Sequence, residues 1–361
     1  MPPVHATYAA TARFGSFDGL RALAALAVVW HHSPAARGAQ PWAALQRGYL
    51  GVDLFFALSG FLITALLLRE RAAHGRVDVA RFLLRRLLRL APLYYAVLAG
   101  AALVSALAPS IAFAAPFLAD LPWHATFTSN WVHTAPPLTV TWSLAAEEQF
   151  YVAWAFALRA LGEGGLAIAA AVVALGALVT AGALDGALAG LLGPDFRSLD
   201  MVQATFTPLA LGALAAGLLH RPAGFALAAR LLGARAVAPL ALLAVLALAS
   251  APEAEPLRFT RPWAQLALTV LVAACALRED HGLAPLLRWT PLARLGVVSY
   301  GVYLLHVLTL QATRPLGLRW EPAPGLAVFA LNLLAAWAAA ELAFRVIERP
   351  CNRWRERLRP R

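Results

Sequence analysis

The amino-acid sequence predicts an all-α integral membrane protein, a bundle of about ten transmembrane helices with both termini in the cytoplasm. Apolar residues make up 61% of the 361 residues and charged residues 14%, against roughly 45–50% and 25% in soluble globular proteins. Apolar stretches long enough to span a bilayer recur along the whole chain. We therefore expect a single transmembrane domain over residues 1–361, with a short cytoplasmic segment at 1–16 and a basic cytoplasmic tail at 347–361.

The apolar pattern places the helices in a definite order along the chain. The predicted segments are 17–36, 48–69, 82–107, 144–161, 164–183, 203–219, 236–250, 262–278, 294–313 and 325–346. The connection 108–143 cannot be one continuous helix, because its prolines remove backbone donors, although 111–119 is a candidate re-entrant piece. The first segment is interpreted as an uncleaved helix rather than a signal peptide, because it carries polar groups and opens a series of similar spans.

Charge supports this topology and argues against a nucleic-acid partner. The formal net charge is +11, and all 30 basic residues are arginine. Most of them fall in alternate connections and in the tail, beside apolar spans, where basic residues set topology or meet anionic lipid and phosphate. The two cysteines, Cys275 and Cys351, indicate neither a disulfide framework nor a metal site. The expected partner is the lipid bilayer, and the sequence does not indicate an oligomeric state.

The first helix, in "GLRALAALAVVWHH", carries Arg21 near one end and His32 near the other. Eleven residues correspond to about three turns and about 16 Å, so both side chains lie on one stripe, whereas His31 points about 100° away. This places Arg21 near the cytoplasmic edge and His32 about halfway across or further. The alternative interpretation is a snorkelling anchor with an interfacial histidine.

The next two helices carry a carboxylate, small residues and an arginine cluster. Asp53 at the start of "GVDLFFALSGFLIT" is a candidate N-cap or a partner for an arginine. Ser59 and the glycine after it favour close helix packing. Arg85, Arg86 and Arg89 in "RRLLRLAPLYY" fit either positive-inside anchoring or bidentate binding of phosphates.

The fourth helix begins in "TWSLAAEEQFYVAW", with Thr141 or Ser143 as the expected N-cap. Glu147 and Glu148 follow in its first turns, where the helix dipole favours carboxylates. A charge near the hydrocarbon also needs a partner, so a catalytic role competes with simple capping.

The ninth helix contains "LGVVSYGVYLLHV", in which Ser299, Tyr303 and His306 share one face. His306 lies about 16 Å from the inner end, a depth similar to that expected of His32. A satisfied packing histidine is the competing interpretation.

Together these motifs resemble the acyltransferase-3 family of multi-span bacterial membrane O-acyltransferases. The family has a motif in which ten residues separate a basic residue from a histidine, and in this chain the two positions are Arg21 and His32. The other motifs follow in the family's order as "GVDLFFALSGFLIT", "RRLLRLAPLYY", "FTSNW", "TWSLAAEEQFY", "SYGVYLLH" and "IERP". The departures, Ala145, Ala146 and Leu305, remove no polar group. Because the chain ends soon after the last helix, we expect no additional periplasmic esterase-like domain.

The resemblance implies transfer of an acyl group, usually acetyl, from cytoplasmic acyl-CoA to a hydroxyl of a carbohydrate or glycosylated small molecule at the bacterial inner membrane. It implies no metal. His32 is the expected general base or acyl carrier, and Glu147 or Glu148 would orient its ring. The expected CoA ligands are Arg21, Arg85, Arg86 and Arg89. The expected substrate-binding residues are Asp53, Ser59, Asn130, Trp142, Tyr303 and His306.

Two questions stay open at this level. Direct transfer and a route through an acylated His32 cannot be separated, and the acceptor is not identified. A polytopic transporter is the alternative from another class, because polar groups at mid-membrane also mark substrate and proton paths. Internal symmetry would favour it, and none is evident.

Overall fold

The chain is helical throughout its described parts, as predicted. The computed structural model describes residues 4–37, 43–192, 206–252, 260–320 and 323–357. Within these ranges the regular structure consists of α-helices, 3₁₀ segments and one π-helical stretch, with no β-strand. The predicted all-α class is therefore confirmed.

The helices are numbered α1 to α19 in chain order. The predicted apolar segments correspond to α2 (Phe17–His32), α5 (Leu50–His74), α6 (Val79–Leu107), α8 (Trp142–Leu161), α9 (Leu166–Thr180), α11 (Thr207–His220), α13 (Val237–Ser250), α14 (Thr260–Leu277), α17 (Ser299–Gly317) and α18 (Pro324–Ala343). The others are α1 (His5–Ala10), α3 (Pro34–Arg37), α4 (Ala43–Gln46), α7 (Ala114–Ala125), α10 (Asp185–Leu192), α12 (Pro222–Leu232), α15 (Ala284–Leu287), α16 (Thr290–Val297) and α19 (Arg349–Arg357). The 3₁₀ segments are Ser129–Trp131, Thr139–Thr141 and Gly162–Gly165, and the π-helix is Phe344–Glu348.

Several predicted helix ends were wrong. The first helix stops at His32 rather than 36, because Pro34 lacks the backbone N–H that would continue it. The ninth begins at Ser299 rather than 294, because α16 ends at Val297 and the helix is interrupted at Val298. The candidate re-entrant piece at 111–119 is instead α7, a helix ending at Ala125. The predicted start of the sixth helix, 203–205, lies outside the described residues.

The described helices are those of a multi-pass membrane protein. Five helical segments are long and apolar enough to cross a membrane, or seven if each bent pair of helices forms one span. The bent pairs are α11 with α12, at 109°, and α16 with α17. Large apolar side chains such as Leu240, Leu243 and Leu334 are about 60% exposed, as expected of helices that face hydrocarbon.

The chain forms two compact units. The first comprises residues 1–31, 39–77 and 156–297. Within it α5 and α11 touch through their backbones: a Cβ at Gly60 would lie 1.9 Å from the Leu209 carbonyl oxygen, and one at Gly212 would lie 2.2 Å from that of Ala57. The close packing predicted beside Ser59 is thus confirmed for Gly60.

The predicted N-terminal segment is packed against α5 in this unit. Tyr8 and Phe14 are buried, and the Arg69 guanidinium lies 5.0 Å from the centre of the Tyr8 ring. Arg69 also donates to the carbonyl oxygens of Tyr8 and Thr11, at 2.8 and 2.6 Å. These contacts fix the residues that lead into α2.

The second unit comprises residues 32–38, 78–155 and 298–361. Its α17 and α18 form an antiparallel pair in which a Cβ at Gly301 would lie 2.9 Å from the Ala340 Cβ, and one at Gly317 would lie 2.6 Å from Val328 Cγ2. Tyr300 ties α17 to α6 by donating to the Leu90 carbonyl oxygen at 2.8 Å. His306 therefore lies midway along a closely packed helix pair.

Candidate active site

Two imidazole rings meet in the second unit. His306 Nε2 lies 3.2 Å from His32 Nδ1, and His306 is fully buried. His306 Nδ1 is 2.5 Å from the Tyr303 carbonyl oxygen, and because a carbonyl only accepts, Nδ1 must carry the proton. His306 Nε2 is then an acceptor, and His32 Nδ1–H donates to it. In this tautomer the lone pair of the His32 ring lies on Nε2, which is the nitrogen able to take a proton.

The start of α8 fixes the helix that carries His306. The Tyr303 hydroxyl lies 2.6 Å from Ser143 Oγ and donates to the Val140 carbonyl oxygen at 3.0 Å. The α8 helix begins at Trp142, so Ser143 lies inside its first turn and is not the N-cap. The predicted face of Ser299, Tyr303 and His306 is buried along its length. Tyr303 thus positions α17 against the chain that leads into α8.

The predicted arginine cluster and glutamate pair also meet. Arg86 Nη2 lies 4.0 Å from Glu148 Oε1, and the Arg86 guanidinium stacks 3.8 Å from the centre of the Tyr151 ring. Both side chains are at most 20% exposed, and neither Arg86 Nε nor Glu148 Oε1 has a hydrogen-bond partner among the described residues. The pair is therefore a desolvated ion pair with capacity to bind further polar groups.

A second carboxyl joins this cluster from the π-helix. Glu348 is buried, and its Oε1 has no hydrogen-bond partner in the described part of the chain. Arg89 lies close enough to act electrostatically on both Glu148 and Glu348, and Arg85 is half-buried on the same helix. The arginines of α6 thus face carboxylates of two other elements.

Asn130 is hydrogen-bonded to Gln149 of α8. Gln149 Nε2 donates to Asn130 Oδ1 at 2.8 Å and to the Phe127 carbonyl oxygen at 2.6 Å. Trp131 Nε1 donates to Gln149 Oε1 at 3.0 Å. Gln149 therefore holds the segment before α8 against that helix, and Trp142 is half-buried at the first position of α8.

Asp53 lies in the first unit, bound to an arginine. Arg261 donates to its two carboxylate oxygens, from Nε to Oδ2 and from Nη2 to Oδ1, both at 2.8 Å. Gln265 Nε2 adds a bond to Oδ1 at 3.2 Å. Asp53 is fully buried and lies three residues beyond the start of α5 at Leu50. Of the two predicted possibilities, the arginine partner is confirmed and the N-cap is wrong.

Arg21 also belongs to the first unit and forms an ion pair near the start of α2. Its Nη1 donates to Asp18 Oδ1 at 2.8 Å, and Arg13 binds the other oxygen of Asp18. A Cβ at Gly296 would lie 1.7 Å from the Asp18 carbonyl oxygen, so α16 packs directly on this turn. The α2 helix is continuous from Phe17 to His32, as the predicted stripe requires.

The amino-acid sequence matches a known protein family. A family model described as an acyltransferase domain matches residues 14–341, nearly the whole chain. The chain belongs to the acyltransferase-3 family. No solved structure matches it.

Curated relatives of this acyltransferase-3 chain are O-acetyltransferases. It is 29% identical to a peptidoglycan O-acetyltransferase of Listeria monocytogenes over 94% of its own length and 56% of that protein. It is also 29% identical to a putative peptidoglycan O-acetyltransferase of Bacillus subtilis, over 92% and 54% of the two chains. A putative O-acetyltransferase of Staphylococcus aureus is 36% identical over 37% of this chain and 23% of its own. The chain spans about half the length of the first two relatives.

Several polar residues of the site were missed by the sequence analysis. Asn332 on α18 and Glu348 are buried, and each has one polar atom without a hydrogen-bond partner among the residues that the structure describes. His124, also buried, has its Nδ1 2.8 Å from Thr141 Oγ1, and burial lowers its pKa below the usual value. Glu348 falls in the quoted "IERP" motif, which was a usable signal. A single Asn or His between apolar residues gives no such signal.

Proposed function

We propose that the protein is a membrane O-acyltransferase that moves an acetyl group from acyl-CoA to a hydroxyl of a carbohydrate, with His32 as general base. The hydrogen bond between His32 and His306 carries this proposal, because it sets His32 in the tautomer that can accept a proton at Nε2. Family membership and the names of the relatives favour acyl transfer over the transporter alternative.

We also propose that the chain crosses the bacterial inner membrane about ten times with both termini in the cytoplasm. The support is that every predicted apolar segment is a helix in its described part. The arginines are distributed as the positive-inside rule requires for this orientation. The shorter helices α9 and α13 are almost wholly apolar, and a thin or locally indented bilayer would accommodate their length.

The transfer step follows from the two rings. His32 Nε2 takes the proton of the acceptor hydroxyl as its oxygen attacks the thioester carbonyl. The resulting imidazolium is stabilised because its Nδ1–H points at the neutral His306 Nε2. His306 thus does for His32 what the aspartate of a serine-protease triad does for its histidine, namely hold the tautomer and orient the ring. His32 then returns the proton to the departing thiolate.

The phosphates of acyl-CoA are assigned to the predicted arginines, Arg85, Arg86 and Arg89, with Arg21 as a further predicted ligand. Within the α6 cluster Arg86 already faces Glu148 and stacks on Tyr151, so its Nε is the atom with capacity for a new acceptor. Guanidinium groups bind phosphate oxygens through short, charge-assisted bonds.

Replacing Arg85 or Arg89 by glutamine is expected to weaken CoA binding about tenfold or more, because each lost charge-assisted hydrogen bond is worth about 1.5–3 kcal/mol. Isothermal titration calorimetry in detergent measures this directly. Arg345→Gln, in which an exposed arginine of the same unit is changed, is the control and is expected to bind CoA normally. Unchanged affinity in both cluster variants would reduce the cluster to a topological anchor.

The acceptor is proposed from the relatives, two of which carry peptidoglycan in their names. Other surface glycans and glycosylated metabolites present the same hydroxyl chemistry. The proposed substrate contacts in the second unit are Asn130, Trp142, Tyr303 and His306, whereas Asp53 and Ser59 stay predictions in the first. Asn130 and Tyr303 are also hydrogen-bonded to Gln149 and Ser143, which fixes their positions for contact with the substrate.

The glutamate pair allows a direct comparison. Glu148→Gln is expected to lower both thermal stability and turnover, because it leaves the buried Arg86 guanidinium without the carboxylate that faces it. A turnover loss confined to Glu147→Gln would make Glu147 the carboxylate that assists His32. Turnover of purified, folded protein with acetyl-CoA and acceptor measures both variants, and near-normal turnover in both would exclude a glutamate partner for His32.

The proposed function is tested with protein reconstituted in liposomes, acetyl-CoA labelled with ¹⁴C in the acetyl group, and soluble peptidoglycan fragments. Label should appear in the glycan as an ester that mild base removes, and His32→Ala protein in matched liposomes should give none. Uptake of the peptidoglycan fragments into the vesicles without ester formation, measured with separately labelled fragments, would instead establish the transporter alternative.

A further inference from the structure

We propose that Asn332 is a catalytic residue whose side-chain N–H₂ donates a hydrogen bond to the carbonyl oxygen of the acyl group during transfer. This inference rests on the proposed function. During the transfer a negative charge develops on that oxygen, and a general base does not stabilise it. The Asn332 N–H₂ would supply this stabilisation.

The first support is the state of the Asn332 side chain. Asn332 is fully buried in α18, and its Nδ2 has no hydrogen-bond partner among the described residues. Its Oδ1 accepts from Thr309 Oγ1 at 2.7 Å, a separation typical of an O–H···O bond. A buried amide donor without a partner costs stability, so its retention needs a use that the folded chain does not supply.

The second support is its connection to the histidine pair. Thr309, which holds the Asn332 amide, also lies 3.2 Å from the carbonyl oxygen of His306. His306 in turn receives the His32 hydrogen bond. His32 and Asn332 are thus attached to successive turns of α17, one through His306 and the other through Thr309.

The residues that follow His32 pack against α18, the helix that carries Asn332. A Cβ at Gly325 in α18 would be 3.1 Å from the Ala35 Cα of α3. Gly325 precedes Asn332 by two turns of α18, and Ala35 follows His32 by three residues. The chain after His32 therefore packs on α18, and His32 and Asn332 are each hydrogen-bonded to α17, at His306 and Thr309, about one turn apart.

The chemical step balances with these groups. The acceptor oxygen forms a bond to the carbonyl carbon of the thioester while its proton passes to His32 Nε2, and the carbonyl π electrons move to the oxygen, which accepts the hydrogen bond from Asn332 Nδ2. The carbonyl then re-forms, the carbon–sulfur bond breaks, and the thiolate takes the proton from His32. Such a donor acts mainly in the transition state, so its loss lowers kcat with little change in KM.

The test is steady-state kinetics of Asn332→Leu and Asn332→Asp with acetyl-CoA and peptidoglycan fragments. Asparagine to leucine keeps the branching at Cγ and removes both polar atoms, and asparagine to aspartate keeps the acceptor for Thr309 while removing the N–H₂ donor. In each folded variant kcat should fall about 10²- to 10³-fold, with KM for acetyl-CoA near the normal value. Infrared spectra of bound acetyl-CoA labelled with ¹³C at the carbonyl should show that carbonyl stretch at a higher frequency than in the unchanged protein.

Ser105→Ala is the matched control. Ser105 on α6 is also fully buried, and its hydroxyl has no hydrogen-bond partner within the described ranges, so its removal should leave kcat and the carbonyl band unchanged. If Asn332→Leu does not fold, the aspartate variant and its infrared band decide. Normal kcat in the Asn332 variants beside an active unchanged protein would overturn this inference alone. No transfer by the unchanged protein would overturn the proposed function and this inference with it.

Discussion

Replacing His32 by alanine is expected to abolish acyl transfer, whereas replacing its neighbour His31 leaves most of it. The proton-accepting Nε2 belongs to His32, because His32 donates through Nδ1 to His306. A positioned general base typically contributes about 10²- to 10⁴-fold in rate, and a role as acyl carrier would make the loss complete. The measurement is initial rate with labelled acetyl-CoA, normalised to folded protein.

His31 is a stringent control because it is the same residue type in the adjacent position. Its Nδ1 lies 3.1 Å from the Gln46 carbonyl oxygen, and its ring meets the Tyr49 ring edge-on. These contacts hold the start of α5 and carry no catalytic arrangement. Equal loss in both variants, or transfer that survives in His32→Ala, would remove the proposed base.

The helices of this protein could be predicted because long apolar segments are a strong signal. Every predicted segment corresponds to a helix, and most ends differ by only a few residues. The bends were not predicted, because α12 fell in a predicted connection with basic residues and α16 was divided between such a connection and the start of the predicted ninth helix. Their helical form depends on packing within the bundle, such as the contact of Gly296 with the Asp18 carbonyl oxygen, which local sequence does not encode.

The candidate site was predicted as separate residues, and its pairing was not. His32 and His306 were each selected for their depth along a helix, yet they are 274 residues apart in the chain. Only the tertiary fold makes them one hydrogen-bonded pair. Glu147 or Glu148 was expected beside His32. The structure places Glu148 against Arg86, so the arginine cluster and one of the two glutamates form an ion pair.

Asp53 shows how tertiary structure decides between local alternatives. From the sequence it fits an N-cap or an arginine partner equally well, because its position near a helix start serves both. The partner, Arg261, lies 208 residues further along the chain. Its two parallel hydrogen bonds fix the carboxylate in the plane that a guanidinium requires.

Breaking this pair is expected to have the largest effect on stability. Asp53→Ala should lower the free energy of unfolding by about 3–5 kcal/mol, because it leaves the buried Arg261 guanidinium without a counter-charge. Asp53→Leu combined with Arg261→Met should be close to the unchanged protein, since it removes both charges and keeps apolar volume. Unfolding monitored by circular dichroism in a fixed detergent measures all variants.

The exposed ion pair of Arg235 and Asp280 provides the control for this prediction. Both of its side chains are about half exposed or more, so solvent screens their interaction. Arg235→Ala, which leaves Asp280 paired with its second partner Arg278, should change stability little. A double variant as unstable as Asp53→Ala would show that the carboxylate does more than neutralise Arg261. Turnover per folded molecule then separates a purely structural role of Asp53 from substrate binding. If the Asp53 carboxylate also binds substrate, the double variant should fold normally and still be less active than the unchanged protein.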